Sequence, residues 1–307
     1  MNILHMKYAV EVAKTGSINK AAEVLLVAQP NLSRSIKSLE ADLGITIFDR
    51  SAKGMMLTPE GERFIGYARN ILSQIDQVEE LYRSDIRRTQ RFSISGPRAS
   101  YISDAFARFS LTVGLDPAEM FYKETNSMRV INNILTHDYR LGILRYAEMY
   151  DRYFHDMLEE KELTGELITE FRYVLLMRAD SSLAKKEKLC QADLRDHIEI
   201  AHADPFVPNM PITEVKRTEL PDNVERRIFV FERASQFDLL SENPDTFMWV
   251  SPAPQKLLDR YGLVQRECSD NFKQYKDVLI YRKNYQLTDL DQRFIVELSR
   301  SKQECFP

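Results

Sequence analysis

Long apolar runs are absent. No stretch of this 307-residue chain approaches the ~18 apolar residues that a membrane-spanning helix requires, so no membrane partner is expected. The opening residues, MNILHMKYAVEVAKTG, hold no charged n-region, no long apolar stretch and no small-residue cleavage site, and are not expected to act as a secretory signal. Cysteine is scarce. Cys190, Cys268 and Cys305 are far apart and odd in number, which argues against a disulfide framework or a zinc ribbon and fits a reducing, cytoplasmic setting. The five histidines, His5, His137, His155, His197 and His202, show no metal-ligand spacing. The sequence also lacks GxGxxG, a P-loop, HExxH, GxSxG and CxxC. No metal, no cofactor and no enzymatic activity are therefore expected.

What remains is ordinary soluble-protein material, with 44% hydrophobic and 29% charged residues, in a length that suits about two or three domains. The net charge of −4 is unevenly spread. Residues 1–70 hold nine Lys/Arg and seven Asp/Glu, a net +2, and the remainder is net −6. An N-terminal segment that meets an anion fits this asymmetry.

Within that segment, Ile3, Met6, Val10 and Ala13 recur at spacings of three, four and three and predict one amphipathic helix. Thr15-Gly16 ends it, and Ser17 is a good N-cap for a second helix, INKAAEVLL. A third helix, VAQPNLSRSIKSLEADL, begins near Pro30, which is tolerated in a first turn. Leu32, Ile36, Leu39 and Leu43 fall on one side of it and predict a buried stripe. Pro30, Arg34 and Lys37 fall opposite, flanked by Asn31 and Ser33. A helix anchored by leucines and presenting small donors and two cations suits a DNA major groove, where such side chains reach base edges or phosphates. A solvated polar face is the alternative. ITIFDRSAKGMMLTP predicts a small hairpin with Lys53-Gly54 at its turn, placing Arg50 and Lys53 on a wing for phosphate or minor-groove contact. Thr58-Pro59-Glu60 reads as a helix start. In the helix that follows, Phe64, Ala68, Ile71, Ile75, Val78 and Tyr82 form a short a/d seam. That seam serves either a second copy or the helix's own domain.

The run SINKAAEVLLVAQPNLSRSIKSLEADLGITIFDRSAKGMMLTPEGERF resembles the winged helix-turn-helix of LysR-type transcriptional regulators. The resemblance covers about residues 1–85 and is much looser beyond. It implies that Gln29, Pro30, Ser33, Arg34 and Lys37 face a double-stranded DNA operator. Ala28 departs from it, since a Ser or Thr usually precedes the Gln-Pro pair. It also implies pairing of the linker helix into dimers or a dimer of dimers, with RNA polymerase as a further partner.

Residues 92–307 alternate strand and helix patterns, which predicts an α/β domain with largely parallel sheet in two lobes. The expected layout is a winged helix-turn-helix over 1–58, a linker helix and hinge over 59–91, and a regulatory domain over 92–307. Lobe I takes about 92–163 and 269–307, and lobe II about 164–268. In such lobes ligands sit where strands end and helices begin. Two places qualify: Arg98-Ala99-Ser100, and Thr125-Asn126-Ser127. Arg145 and His202 are further candidates, and Arg98 biases the site to anions. Ser100 and Ser127 also suit plain N-caps. The resemblance implies a periplasmic-binding-protein-like domain whose cleft binds a small-molecule effector near Ser100 and Thr125 to Ser127. Two departures loosen that picture: Arg140-Leu141-Gly142-Ile143 in the third strand, and SENPDTFMWVSP at 241–252. A second domain that only oligomerises is the competing reading.

Overall fold

Helix ends, caps and one close backbone approach shape the N-terminal unit. Helix α1 (Ile3–Thr15) starts at Asn2, whose side chain accepts from the Leu4 amide at 2.8 Å. Helix α2 (Ile18–Val24) is capped by Ser17, and α3 (Gln29–Leu43) starts at Ala28 without a side-chain cap. Gly16 and Gly44 end α1 and α3 in the left-handed conformation, with φ of 63° and 68°. Strands β1 (Phe48–Ser51) and β2 (Gly54–Leu57) form an antiparallel wing, followed by α4 (Pro59–Tyr82).

The computed structural model describes residues 2–51, 54–82, 89–137, 139–203, 208 and 224–306. The chain divides into two units, Met1–Arg87 and Arg88–Pro307. Lys53 lies outside the described residues, and so does the side chain of Arg50.

In the first unit Leu32, Ile36 and Leu39 of α3 are buried against Ala9, Val12, Ala21, Ala22, Ile47 and Ile65, and Leu43 is half-buried. The expected α1 stripe shifts by part of a turn. Met6, Ala9 and Val12 are buried while Ile3 is 48% exposed, because α1 is covered by α2 and α3 on one side and by α4 on another. The linker seam splits for the same reason. Ile65, Ala68 and Leu72 are buried within the domain, Ala68 and Leu72 against Met6, whereas Tyr67, Ile71 and Val78 are exposed. Thr58 ties this helix to the wing, its hydroxyl donating to the Thr46 carbonyl at 2.6 Å and accepting from the Gly61 amide at 2.9 Å. The Glu40 carboxylate accepts from the Ile47 and Phe48 amides at 2.8 and 3.2 Å.

The second unit holds two five-stranded sheets. The first runs in the order β4-β3-β5-β12-β6: β4 (Ala118–Glu124), β3 (Gln90–Gly96), β5 (Leu141–Ala147), β12 (Gln274–Arg282) and β6 (Leu163–Arg172). The second runs β11-β7-β10-β8-β9: β11 (Leu263–Arg266), β7 (Val174–Arg178), β10 (Thr246–Val250), β8 (Ile198–His202) and β9 (Arg226–Val230). The expected parallel character holds in half of each. β3 pairs parallel with β4 and β5, and β8 with β9 and β10, but β12 and β7 run antiparallel to both neighbours. The lobe boundary moves from 163/164 to Tyr173. β6 pairs with β12 over its whole length and belongs to lobe I, so FRYVLLM is two strands in two sheets.

In lobe I, α5 (Ser100–Ser110) and α10 (Asp289–Cys305) cover one face through Phe92, Phe109, Phe294 and Leu298. Helices α6 (Ser127–Thr136) and α7 (Asp151–Glu160) cover the other through Val130, Ile134, Leu144 and Phe154. In lobe II, α8 (Ala234–Glu242) and α9 (Gln255–Tyr261) pack over Leu176, Ile200 and Met248. Phe247 is buried in the core with Leu183 and Leu194, and Trp249 packs against that cluster.

Two substitutions test the N-terminal packing. A Cβ at Gly61 would lie 2.1 Å from the Ile47 carbonyl oxygen, so Gly61→Ala should force α4 off the wing and cost about 2 kcal/mol or more, read by hydrogen exchange across residues 29–72. Leu26, in the α2–α3 turn, is 92% exposed at φ 54°. An L-residue there costs about 1 kcal/mol, which Asn tolerates better, so Leu26→Asn should raise the denaturation midpoint of this unit.

Candidate nucleic-acid interface and inter-lobe site

The outward face of α3 is assembled by the inward one. With Leu32, Ile36 and Leu39 buried, the helical repeat turns Gln29, Pro30, Asn31, Arg34 and Lys37 to solvent, all exposed, with Ser33 half-buried beside them. Ala28 supplies no side-chain cap; Pro30 has no N–H, and the Asn31 and Leu32 amides donate to the Ala28 carbonyl at 2.9 and 3.2 Å. Two cations and two side-chain amides at the start of a helix thus share one surface, a chemistry suited to phosphate and base edges.

The second unit brings the ends of parallel strands together. Gly96 and Glu124 are register partners at the ends of β3 and β4, and the Thr125 amide donates to the Gly96 carbonyl at 2.7 Å. This sets the start of α5 beside the start of α6. On lobe II, His202 and Val230 are likewise partners at the ends of β8 and β9. The lobes meet here. Arg233, just ahead of α8, reaches the Ser100 hydroxyl at 3.4 Å and pairs with Glu124 through Nε–Oε1 at 3.0 Å. The Glu124 carboxylate also accepts from the Tyr122 hydroxyl at 2.9 Å. Burial, then the Glu124 charge, pushes the Tyr122 phenol well above its usual value. Glu232 is held below the usual carboxylate range by the Ser235 hydroxyl first, and also by the positive fields of Arg98 and His202. Lys256 of α9 pairs with Asp104 of α5 on the same side.

Residues 3–62 match the family model described as "Bacterial regulatory helix-turn-helix protein, lysR family". The match identifies a LysR-type helix-turn-helix in that N-terminal segment. A curated relative, the uncharacterized HTH-type transcriptional regulator YcgK of Bacillus subtilis (strain 168), is 50% identical over 78 residues, covering 25% of this chain and 24% of the relative. Among the curated relatives it matches, the aligned part spans between 24% and 62% of their length. A full-length OxyR variant from Pseudomonas aeruginosa shares the fold with a TM-score of 0.61 at 17% identity, over 100% of this chain and 96% of that one. Full-length LysG from Corynebacterium glutamicum with bound effector Arg does so with a TM-score of 0.60 at 13% identity, over 99% of both chains.

In the second unit the effector candidates divide into two groups. Ser100 and Ala99 at the start of α5, Thr125 at the end of β4, Arg98 and His202 all lie at the converging strand ends. Asn126 is there too, but its side chain caps α6 by accepting from the Arg129 amide at 3.0 Å. Ser127 and Arg145 are committed elsewhere. The Ser127 hydroxyl donates to the Arg145 carbonyl at 2.7 Å and accepts from the Arg145 amide at 3.0 Å. The Arg145 guanidinium, 9% exposed, forms a two-pronged pair with Asp277 at 2.8 and 2.6 Å and lies over the Phe171 ring at 4.7 Å. Burial opposes its charge, and Asp277 more than reverses that, so its pKa is raised. The Tyr101 hydroxyl donates to the same carboxylate at 2.6 Å.

Sequence reasoning missed Glu124, Arg233 and Asp277. Glu124 directly precedes a residue that was singled out, so its place at a strand end was a usable signal. Arg233 and Asp277 gave none, because only the assembled lobes bring Arg233 to Glu124 and only the return of β12 brings Asp277 to Arg145.

Breaking one partner of the buried pair should be costly. Arg145→Met should lose about 3–5 kcal/mol of stability in urea unfolding. Ser127→Ala, which removes two buried hydrogen bonds to a strand, should cost about 1–3 kcal/mol in the same measurement.

Proposed function

We propose that this protein is a sequence-specific DNA-binding transcriptional regulator, switched by a small molecule held between the lobes of its second unit. The observation that carries the first half is the exposed row of Gln29, Pro30, Asn31, Arg34 and Lys37 on a helix whose opposite face is buried. In a major groove, Arg34 and Lys37 reach guanine edges or phosphates, and Gln29 and Asn31 reach adenine or phosphate. Ser33 supports this from the side, Arg50 stands on β1 of the wing, and Lys53 is assigned to the wing by sequence alone.

The switch is supported by the meeting of Arg98, Ala99, Ser100, Thr125, Asn126 and His202 at one strand-end site, the usual location for ligands in α/β lobes. The LysG likeness, with its bound effector Arg, supports a small-molecule occupant in a similarly folded protein. An occupant that contacts both lobes changes their relative preference by its differential affinity for the two arrangements. The titratable pair at the site, Glu124 and Arg233, neutralises itself, which favours recognition over catalysis.

Self-association follows from α4. Tyr67, Ile71 and Val78 are 60%, 37% and 54% exposed along one helix, apolar area that a second copy would cover. Two copies then present two α3 helices to two related half-sites, and a dimer of dimers presents four. RNA polymerase is the further partner of such a regulator. No helix among the described residues is long and apolar enough to cross a membrane, and a DNA-binding role places the protein in the cytoplasm.

The test is DNase footprinting on the upstream intergenic region, at stated salt, with and without metabolite pools. A protected, two-fold related site whose footprint changes with a pool supports both halves. Protection that never responds sinks the switch. Arg34→Ala should weaken binding at the protected site by about 1–3 kcal/mol if it reads a base. Unchanged affinity removes Arg34 from the contact set.

A further inference from the structure

The inter-lobe site is bridged by charges of opposite sign, one from each lobe. Glu124 comes from lobe I and Arg233 from lobe II, 3.0 Å apart, with side-chain exposures of 17% and 18%. Each is fixed by a neighbour from its own lobe. Tyr122 donates to the Glu124 carboxylate, and the Arg233 guanidinium lies over the Phe237 ring at 5.4 Å. They are therefore preorganised poles rather than mobile surface charges. Gln236, three residues after Arg233 and 2% exposed, keeps its Oε1 buried without a hydrogen-bond partner.

This arrangement discriminates among ligand charges. A simple carboxylate at Ser100 would draw Arg233 away and leave Glu124 largely buried beside a second anion. A simple amine would take Glu124 and leave Arg233 uncompensated. Leaving either charge largely buried and unpaired is costly. A molecule with a carboxylate and an ammonium a few bonds apart inserts between the two and leaves every charge paired.

We propose that the effector is a zwitterion of the α-amino-acid type, its carboxylate received by Arg233 and Ser100 and its ammonium by Glu124. The proposal rests on the reading of this cleft as the effector site. It narrows the anion preference that Arg98 alone suggests. The resting Glu124–Arg233 pair is then an internal stand-in for the ligand, and binding exchanges one bridge between the lobes for another.

The test uses the full chain, with calorimetry and thermal unfolding against the twenty proteinogenic amino acids. Each is compared with its counterparts lacking the amine or lacking the carboxylate. At least one amino acid should bind saturably and raise the Tm, with both counterparts weaker on the order of tenfold or more. Glu124→Gln should erase that preference over the carboxylate counterpart. Glu124→Asp and Arg233→Lys, which keep the charges, should retain it, separating charge pairing from folding. A carboxylate counterpart that binds as tightly as its amino acid overturns the proposal, and so does the absence of binding by all twenty. Footprinting in parallel keeps the two readings apart. Amino-acid binding with an unchanged footprint supports the zwitterion site and overturns the regulatory role. A footprint changed by a carboxylate alone does the reverse.

Discussion

The second unit hangs on the Arg145–Asp277 pair. The two residues are cross-strand partners on β5 and β12, so the ion pair fastens the middle of the lobe I sheet. Its reach extends to the cleft on both sides. Asp277 receives the Tyr101 hydroxyl, and Tyr101 is the neighbour of Ser100. The Arg145 backbone clamps the Ser127 hydroxyl, and Ser127 opens α6. The starts of α5 and α6, beside the inter-lobe site, are thus fixed by one buried charge pair. Phe171, Tyr173 and Phe306 surround the network, keeping water away from the charges and strengthening their attraction.

The N-terminal unit solves a different problem with smaller parts. A reading helix must be rigid on its inner face and unencumbered on its outer one. Leucines and isoleucine give the first. The second comes from the helical repeat, which turns Gln29, Asn31, Arg34 and Lys37 away from that stripe, while Ala28 lacks the hydroxyl that could have capped the helix or met a phosphate. Glu40 and Thr58 hold the wing by hydrogen bonds to its backbone and to that of the segment leading into it, and Phe48, Met55 and Leu57 pack its inner side onto the core.

Local signals carried well in this sequence. The three short helices, their glycine ends, the wing and the Thr58 helix start were all legible from spacing and caps, because contacts within three or four residues dominate there. So were α5 and α6 and the strands before them. Which face of α1 and α4 would be buried was not legible, since both helices have apolar residues on more than one side and their neighbours decide. The assignment of β6 to lobe I was hidden because a strand's partner cannot be read from the strand itself. Arg145 looked like a ligand residue for the same reason: its counter-charge lies 132 positions away. The hydroxyl of Ser127 looked available until the β5 backbone was set against it.

The return of β12 to lobe I has a kinetic consequence. Every strand of lobe II is drawn from residues 174–266, so that sheet can close on contacts made within one stretch of chain. Lobe I begins earlier, yet its sheet is incomplete until β12 slots between β5 and β6. Closing so long a loop is slow compared with local pairing. During synthesis the first strands of lobe I must therefore wait with an open edge on β5 while the inserted lobe folds ahead of them.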